Sequence, residues 1–111
     1  MDKLTEYRSA IQKILTEYSQ YKPSYGEIEI EQIFDWERDH YQIICVGWNN
    51  HKRIYGVMMH MDIKGGKIWI QENTTEVDIA EELIKMGVQK QDIVIGFHTV
   101  KMRQLTDFGV R

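Results

Sequence analysis

The chain has 111 residues, of which 42% are hydrophobic and 28% are charged, and its formal net charge is -3 at pH 7. These values are typical of a single globular domain and exclude a disordered chain, and no apolar run approaches the ~20 residues that cross a bilayer. The acidic balance argues against a protein that holds DNA unaided, because basic side chains that neutralise phosphates supply most of that affinity. With no secretory signal visible at the N-terminus, we expect one domain over residues 1–111, located in the cytoplasm.

The first predicted element is an amphipathic helix. Its apolar residues recur at intervals of three and four, which places them on one side of a helix. They are Leu4, Tyr7, Ile11, Ile14, Tyr18 and Tyr21. Asp2 is the predicted N-cap, and the helix is predicted to end in a turn that begins at Pro23. We interpret the stripe as the surface that packs on the sheet of this chain, while the same spacing also fits a short coiled-coil seam.

Four strands are predicted after this helix, because the apolar period changes from near 3.6 to 2. The strands cover residues 27–36, 41–48, 53–63 and 67–72. Gly65-Gly66 is the strongest hairpin feature, since adjacent glycines adopt the positive φ angles of tight turns. The short connections predict an antiparallel meander of neighbouring strands.

The remaining residues predict a second helix and a less regular end. Residues 76–86 are helical in pattern, and Gly87 lies where a helix C-cap is common. The apolar residues 92–97 fit either a fifth strand or a buried turn, and the segment from His98 onward has no clear pattern. The predicted fold class is therefore α+β, with a four-stranded or five-stranded antiparallel sheet and two helices.

The middle strands are apolar on both faces. Ile43 and Cys45 point one way, whereas Ile44, Val46 and Trp48 point the other. Two short helices can cover one face fully and the other only in part. Either an apolar patch remains for a partner or a second copy of the chain, or the C-terminal segment closes it.

The candidate partner-binding residues are aromatic or basic. Trp36, Trp48 and Trp69 occupy strand positions, and Trp is enriched in binding hot spots. Lys101 and Arg103 add a local basic excess near the C-terminus. The first helix or the uncovered sheet face could also form a homodimer interface.

No catalytic, cofactor or metal site is predicted. None of the histidines, His40, His51, His60 and His98, has the spacing of a helical zinc motif. His40 and His51 are predicted to be solvated in turns, and His60 is predicted to be a hydrogen-bonded core residue. Cys45 is the only cysteine, which excludes an internal disulfide and a thiolate zinc cluster.

Two tripeptides are typical of enzymes when other motifs accompany them. Asp62-Ile63-Lys64, with Asp35 as a second acid, fits a metal-dependent nuclease, but the tripeptide also borders an ordinary turn. Asp107-Phe108-Gly109 matches the metal-binding tripeptide of protein kinases, yet the phosphate loop and the catalytic loop are missing from the sequence. The nuclease therefore remains a minor alternative, and the kinase is excluded.

The chain closely resembles the XisI family over almost its whole length. Matching motifs include Phe34-Asp35-Trp36-Glu37-Arg38-Asp39 and His60-Met61-Asp62-Ile63-Lys64. The other matching segments are residues 7–8, 22–29, 41–42, 46–48, 53–56, 66–71, 91–98 and 106–108. The C-terminal residues 109–111 depart from the family pattern.

This resemblance implies a function that the residues alone do not. XisI proteins occur mainly in cyanobacteria and are named as controlling factors for excision of the fdxN element, a DNA rearrangement of heterocyst differentiation. In that process a separate recombinase cuts and rejoins the DNA, so the family implies a non-enzymatic accessory factor with no catalytic residues to carry over. It also implies an XisH-like protein as the first partner. An excisionase-like factor that binds DNA directly remains the alternative.

Overall fold

The computed structural model describes residues 2–21 and 26–109. The elements are α1 (Lys3–Tyr18), β1 (Glu27–Asp35), β2 (His40–Asn49), β3 (Lys52–Lys64), β4 (Lys67–Asn73), α2 (Ile79–Lys85), a 3-10 turn (Lys90–Asp92), β5 (Ile93–Ile95) and α3 (Val100–Gln104). The strands form one sheet in the order β1-β2-β3-β4-β5. β1 to β4 are antiparallel, and β5 pairs with β4 in parallel. The α+β fold is confirmed, and the ambiguous residues 92–97 contain a short fifth strand.

Helix α1 begins as the sequence predicts and ends earlier. The Asp2 carboxylate accepts a hydrogen bond from the Thr5 amide at 2.8 Å, which is the expected N-cap. The helix stops at Tyr18, because the amides of Gln20 and Tyr21 turn back to carbonyls only three residues earlier. Tyr21 is 60% exposed, so the prediction that the buried stripe reaches Tyr21 was wrong by one turn. The predicted turn at Pro23 lies outside the described residues.

Helices α1 and α2 cover the same face of the sheet. The core residues of α1 include Tyr7, Ile11, Ile14 and Leu15. Those of α2 are Ile79, Ala80 and Leu83. The sheet residues of this core are Tyr41, Ile43, Met59, Met61, Ile63, Ile68, Ile70, Ile93 and Ile95. The apolar stripe of α1 therefore packs on the sheet of its own chain, as expected. In the described part of the chain, no helix combines the length and apolarity needed to cross a membrane.

The C-terminal segment covers only one end of the second face. The Arg103 guanidinium lies 5.1 Å from the centroid of the Trp69 ring on β4. Gly109 bridges to Val94 and donates its amide to the Ile93 carbonyl at 2.7 Å. The segment thus closes the face over β4 and β5, whereas none of residues 2–21 and 26–109 forms a layer over the same face of β1 to β3.

A buried hydrogen bond ties α1 to the start of β5. The Tyr7 hydroxyl donates to the Asp92 carboxylate at 2.6 Å, and Lys3 forms a salt bridge to the same oxygen. We expect Tyr7→Phe to lower the free energy of unfolding by about 1 kcal/mol, because one hydrogen bond is lost while Asp92 keeps its cationic partner. Urea denaturation followed by circular dichroism measures this. Tyr21→Phe is the matched control, and equal stability of the two variants would contradict the prediction.

Candidate functional site on the open sheet face

The open face is the side of β1, β2 and β3 that points away from the helices. Strand register places Tyr55 opposite Val46 and Trp48 opposite Arg53 on this side. Trp48 is 50% exposed and Tyr55 is 70% exposed. Two large aromatic side chains therefore stand in solvent on a hydrogen-bonded sheet, which fixes their backbone positions.

Charge on the open face is uneven. The β1 residues on this side include Glu27, Glu29 and Glu31, which lie opposite the apolar residues of β2. The Arg53 guanidinium lies 5.2 Å from the Trp48 ring centroid, a cation–π contact. The surface is therefore an aromatic centre with an acidic border along the edge strand.

One end of the open face carries a polar cluster, defined as His40, His60, Asp62 and Gln71. Asp62 is buried on β3, directly opposite His40 on β2. Its Oδ1 atom lies 2.8 Å from His40 Nδ1 and 2.8 Å from His60 Nε2. Gln71 Nε2 donates to the other carboxylate oxygen at 3.0 Å. Every carboxylate oxygen of Asp62 thus has a partner from this cluster.

The strands position this cluster through two irregularities of register. The pairing of β2 with β3 shifts between Ile43 and Ile44, and the pairing of β3 with β4 shifts between His60 and Met61. The second shift leaves Gln71 as the extra residue on β4. Such bulges redirect side chains, and here the freed amide side chain reaches Asp62.

The charge of Asp62 is favoured by its neighbours. Burial on its own raises the pKa of this carboxyl. Hydrogen bonds with His40 and Gln71, together with the charge and hydrogen bond of His60, outweigh burial and hold the pKa of Asp62 below its ordinary value. The cluster therefore contains a carboxylate rather than a carboxylic acid at neutral pH.

The cluster differs from the sequence interpretation of its members. His40 is the first residue of β2 rather than a turn residue, although its side chain is 52% exposed. His60 is hydrogen-bonded as expected and half-buried. Alternation alone places His60 and Asp62 on one face, but the contact with His40 depends on strand register, which the sequence does not display.

The structure does not place Asp35, the second acid of the nuclease alternative, beside Asp62. Asp35 and Asp62 both lie opposite His40, on either side of β2, so roughly 10 Å separates their strands. The Asp35 carboxylate accepts the amides of Glu37 and Arg38 at 3.1 and 3.0 Å. Asp35 is therefore part of the turn and is not a second metal ligand beside Asp62.

The three candidate tryptophans occupy different surfaces. Trp48 lies on the open face, whereas Trp36 follows β1 and packs edge-on against Phe34 and Tyr41, at centroid distances of 6.4 and 5.9 Å. Trp69 lies between two cations, with Lys64 Nζ 4.6 Å from the ring centroid on β4. Trp36 remains 56% exposed. Trp48 is thus the tryptophan most available on the sheet surface.

The two basic candidates differ in how far they are engaged within the chain. Lys101 is exposed on α3. Arg103 covers Trp69 and donates to the carbonyls of His98 and Gly96 at 3.1 and 3.4 Å. Arg103 therefore helps to hold the C-terminal segment on the sheet.

Comparisons with known proteins give a consistent result over the full domain. The family model described as XisI protein matches residues 1–110. The crystal structure of a XisI-like protein from Anabaena variabilis is 45% identical, with a TM-score of 0.91 over 97% of this chain and 99% of that chain. The fdxN element excision controlling factor XisI from Anabaena variabilis is 36% identical, with a TM-score of 0.86 over 99% of this chain and 100% of that chain. Among curated proteins there is no significant match.

Proposed function

The chain belongs to the XisI family, and we propose that it is a non-enzymatic accessory factor that controls site-specific excision of a DNA element by binding another protein in the cytoplasm. The similar Anabaena variabilis structure is named as an fdxN element excision controlling factor. That name supports a regulatory role. The nuclease-like tripeptide Asp62-Ile63-Lys64 does not have Asp35 beside it as a second acid, because the Asp35 carboxylate is bound to turn amides, which supports a factor that acts through a partner.

The open face is the observation that carries this proposal. Trp48 and Tyr55 are exposed there by 50% and 70%, and Trp and Tyr contribute more than other residues to binding hot spots. A rigid sheet loses little conformational entropy when it binds, so large side chains mounted on it are effective anchors. We therefore place the partner-binding surface on the open face, centred on these two residues.

An XisH-like protein is the partner that we propose for this surface. The acidic border of Glu27, Glu29 and Glu31 lies beside the aromatic centre and repels the phosphates of DNA. A protein surface with an apolar pocket and a basic rim complements both features. Direct DNA binding is the competing function, and its basic candidates lie on α3 rather than on the open face.

Co-purification tests this proposal. We expect the chain and an XisH-like protein, expressed together with an affinity tag on the XisH-like chain, to elute as one complex at micromolar concentrations. The tag alone and an unrelated tagged protein serve as controls. Separate elution of the two proteins would overturn the proposed partner.

A mobility-shift titration tests the alternative function, an excisionase-like factor that binds DNA directly. We expect the isolated chain to leave element-border DNA unshifted at moderate salt, because few phosphate contacts are available to an acidic domain. A shift that survives moderate salt would favour the excisionase-like function. Scrambled DNA of equal length is the control for sequence-independent binding.

A further inference from the structure

We propose that His40, His60 and Asp62 form a binding site for one divalent transition-metal ion of the Zn²⁺ type. Their candidate ligand atoms are His40 Nδ1, His60 Nε2 and Asp62 Oδ1, and these atoms lie within 4.8 Å of one another. Two imidazole nitrogens and one carboxylate oxygen are ligand types that Zn²⁺ and its neighbours in the first transition row prefer. This inference is independent of the proposed partner.

The distances require only a small adjustment to hold an ion. Tetrahedral Zn²⁺ with bonds of about 2.05 Å separates its ligand atoms by roughly 3.4 Å. Asp62 Oδ1 lies 2.8 Å from each imidazole nitrogen. Each distance from Asp62 to an imidazole must lengthen by roughly half an ångström, and the two imidazole nitrogens, which lie within 4.8 Å of each other, must reach the same separation of roughly 3.4 Å. Rotation of the half-exposed His40 side chain would supply these movements.

Strand pairing sets the relative positions of the three ligand side chains. His40 and Asp62 are cross-strand neighbours, and His60 and Asp62 alternate on the same face of β3. Gln71 donates to Asp62 Oδ2 at 3.0 Å and so turns Oδ1 toward the histidines. Hydrogen bonds of this kind orient metal ligands and typically change metal affinity by about 10–100-fold when removed.

The charge balance also favours a cation. The Asp62 side chain is only 8% exposed, and a buried carboxylate needs a compensating positive charge. Lys64, two residues further along β3, lies over the Trp69 ring. Within residues 2–21 and 26–109, the ion-pair partners of Asp62 are His40 and His60 alone. A divalent ion would compensate the carboxylate without requiring either imidazole to be protonated.

Solvent reaches the site from one side. The His40 and His60 side chains are 52% and 29% exposed, so the three protein ligands approach from the sheet and leave a coordination position facing outward. Three protein ligands with an open fourth position are usual where a metal binds water or an external ligand. In a cluster without metal, the same atoms hydrogen-bond to one another through protons on the imidazole nitrogens. Direct metal titration distinguishes this metal-free cluster from a metal site.

The test is a titration of the purified, chelator-treated protein, without a polyhistidine tag, with Co²⁺ and Zn²⁺. We expect one equivalent of metal by calorimetry, visible absorption bands of tetrahedral Co²⁺ that Zn²⁺ displaces, and a higher thermal midpoint with metal present. Absence of saturable binding would overturn the proposal. Binding of several weak equivalents without the cobalt bands would also overturn it, as that is the behaviour of scattered surface histidines.

Variants locate the bound ion. His40→Gln and Asp62→Asn should each weaken binding by at least about tenfold, and Gln71→Ala by about tenfold. His40→Gln is the safest of these for folding, because that side chain is half exposed. His51→Ala is the matched control, since His51 is exposed in the turn between β2 and β3. Unchanged affinity in His40→Gln, with a normal circular dichroism spectrum, would place the metal elsewhere and reject the site.

Discussion

The double variant Trp48→Ala/Tyr55→Ala should bind an XisH-like protein at least about 100-fold more weakly than the parent chain. Truncation of a central aromatic anchor typically costs about 2 kcal/mol or more, and about 1.4 kcal/mol corresponds to a tenfold change in dissociation constant. The two side chains lie on neighbouring strands of one face, so their contributions overlap and the loss is smaller than the simple sum. Isothermal titration calorimetry of the purified proteins measures this change.

The fold should survive these substitutions. Both side chains are largely exposed, with relative exposures of 50% and 70%, and the buried core lies on the other side of the sheet. Loss of an aromatic residue from a strand lowers β-propensity by at most about 1 kcal/mol per site. The circular dichroism spectrum of the double variant should therefore match that of the parent, and urea denaturation should show a free energy of unfolding lower by no more than about 2 kcal/mol.

Leu105→Ala provides the matched control for this experiment. Leu105 is 75% exposed and caps α3, away from the open face. The proposed surface predicts that Leu105→Ala binds like the parent. Equal losses in Leu105→Ala and the double variant would indicate non-specific apolar contact, and full affinity in the double variant would exclude the open face as the binding surface. Trp36→Ala, measured in the same way, shows whether the turn after β1 also contributes to partner binding.

Most of the fold was predictable from the sequence, because each long element that packs on the core has regularly spaced apolar residues. The stripe of α1 and the alternation of β1 to β4 each place apolar side chains on the buried face, so their boundaries follow within a few residues. β5 was ambiguous because only Ile93–Ile95 pairs with β4. Three residues are too few for a period to appear, and the parallel pairing depends on where α2 returns the chain.

The polar cluster was not predictable from the sequence, for a specific geometric reason. Asn49 pairs with Lys52 across a two-residue loop, and an unbroken ladder from that pair would place His40 opposite Met61. The register shift at Ile43/Ile44 adds one residue to β3, so His40 lies opposite Asp62 instead. A one-residue change of register exchanges the two faces of a strand. The contact between His40 and Asp62 therefore depends on a bulge that no residue pattern in the sequence predicts.

The open face was predicted only in outline. Apolar residues on both sides of the middle strands indicated that one face would lack full cover, and Trp48 was among the candidates for contact. Tyr55 was not singled out, although it is the more exposed of the two aromatic residues. Its availability follows from the position of the C-terminal segment over β4 and β5, which is a matter of tertiary packing.

Acid should unfold the protein by releasing the attachments of α1, the second large effect that we expect. Asp39 accepts hydrogen bonds from Arg8 Nε at 2.8 Å and Arg8 Nη2 at 3.1 Å, and from the Tyr41 hydroxyl at 2.8 Å. The Arg8 hydrogen bond is the main cause that holds the pKa of Asp39 below its ordinary value, and the charge of His40 acts in the same direction. Asp39 thus fastens α1 to the turn between β1 and β2 only while it is ionised.

Asp92 makes the equivalent attachment at the other side of α1. Burial raises the pKa of this carboxyl, but hydrogen bonds from Lys3 and Tyr7, with a smaller effect of the Lys67 charge, leave it below its ordinary value. A carboxyl whose pKa is lower in the folded state stabilises the fold fully above its unfolded pKa of about 3.9, and that contribution is lost as pH falls through the folded value. The unfolded chain binds more protons in this range, so stability must decrease with acidification.

We therefore expect the urea midpoint of the parent chain to be nearly constant at neutral pH and to fall steeply below about pH 5. In Asp39→Asn/Asp92→Asn the midpoint should be lower at pH 7 and should depend less on pH, because two of the titrating attachments are gone. Asparagine suits position 39, where φ is 57°, since it tolerates the left-handed conformation. Asp107→Asn is the matched control, because the Asp107 side chain is 85% exposed. If the double variant keeps the pH dependence of the parent and of Asp107→Asn, the two attachments do not govern acid unfolding.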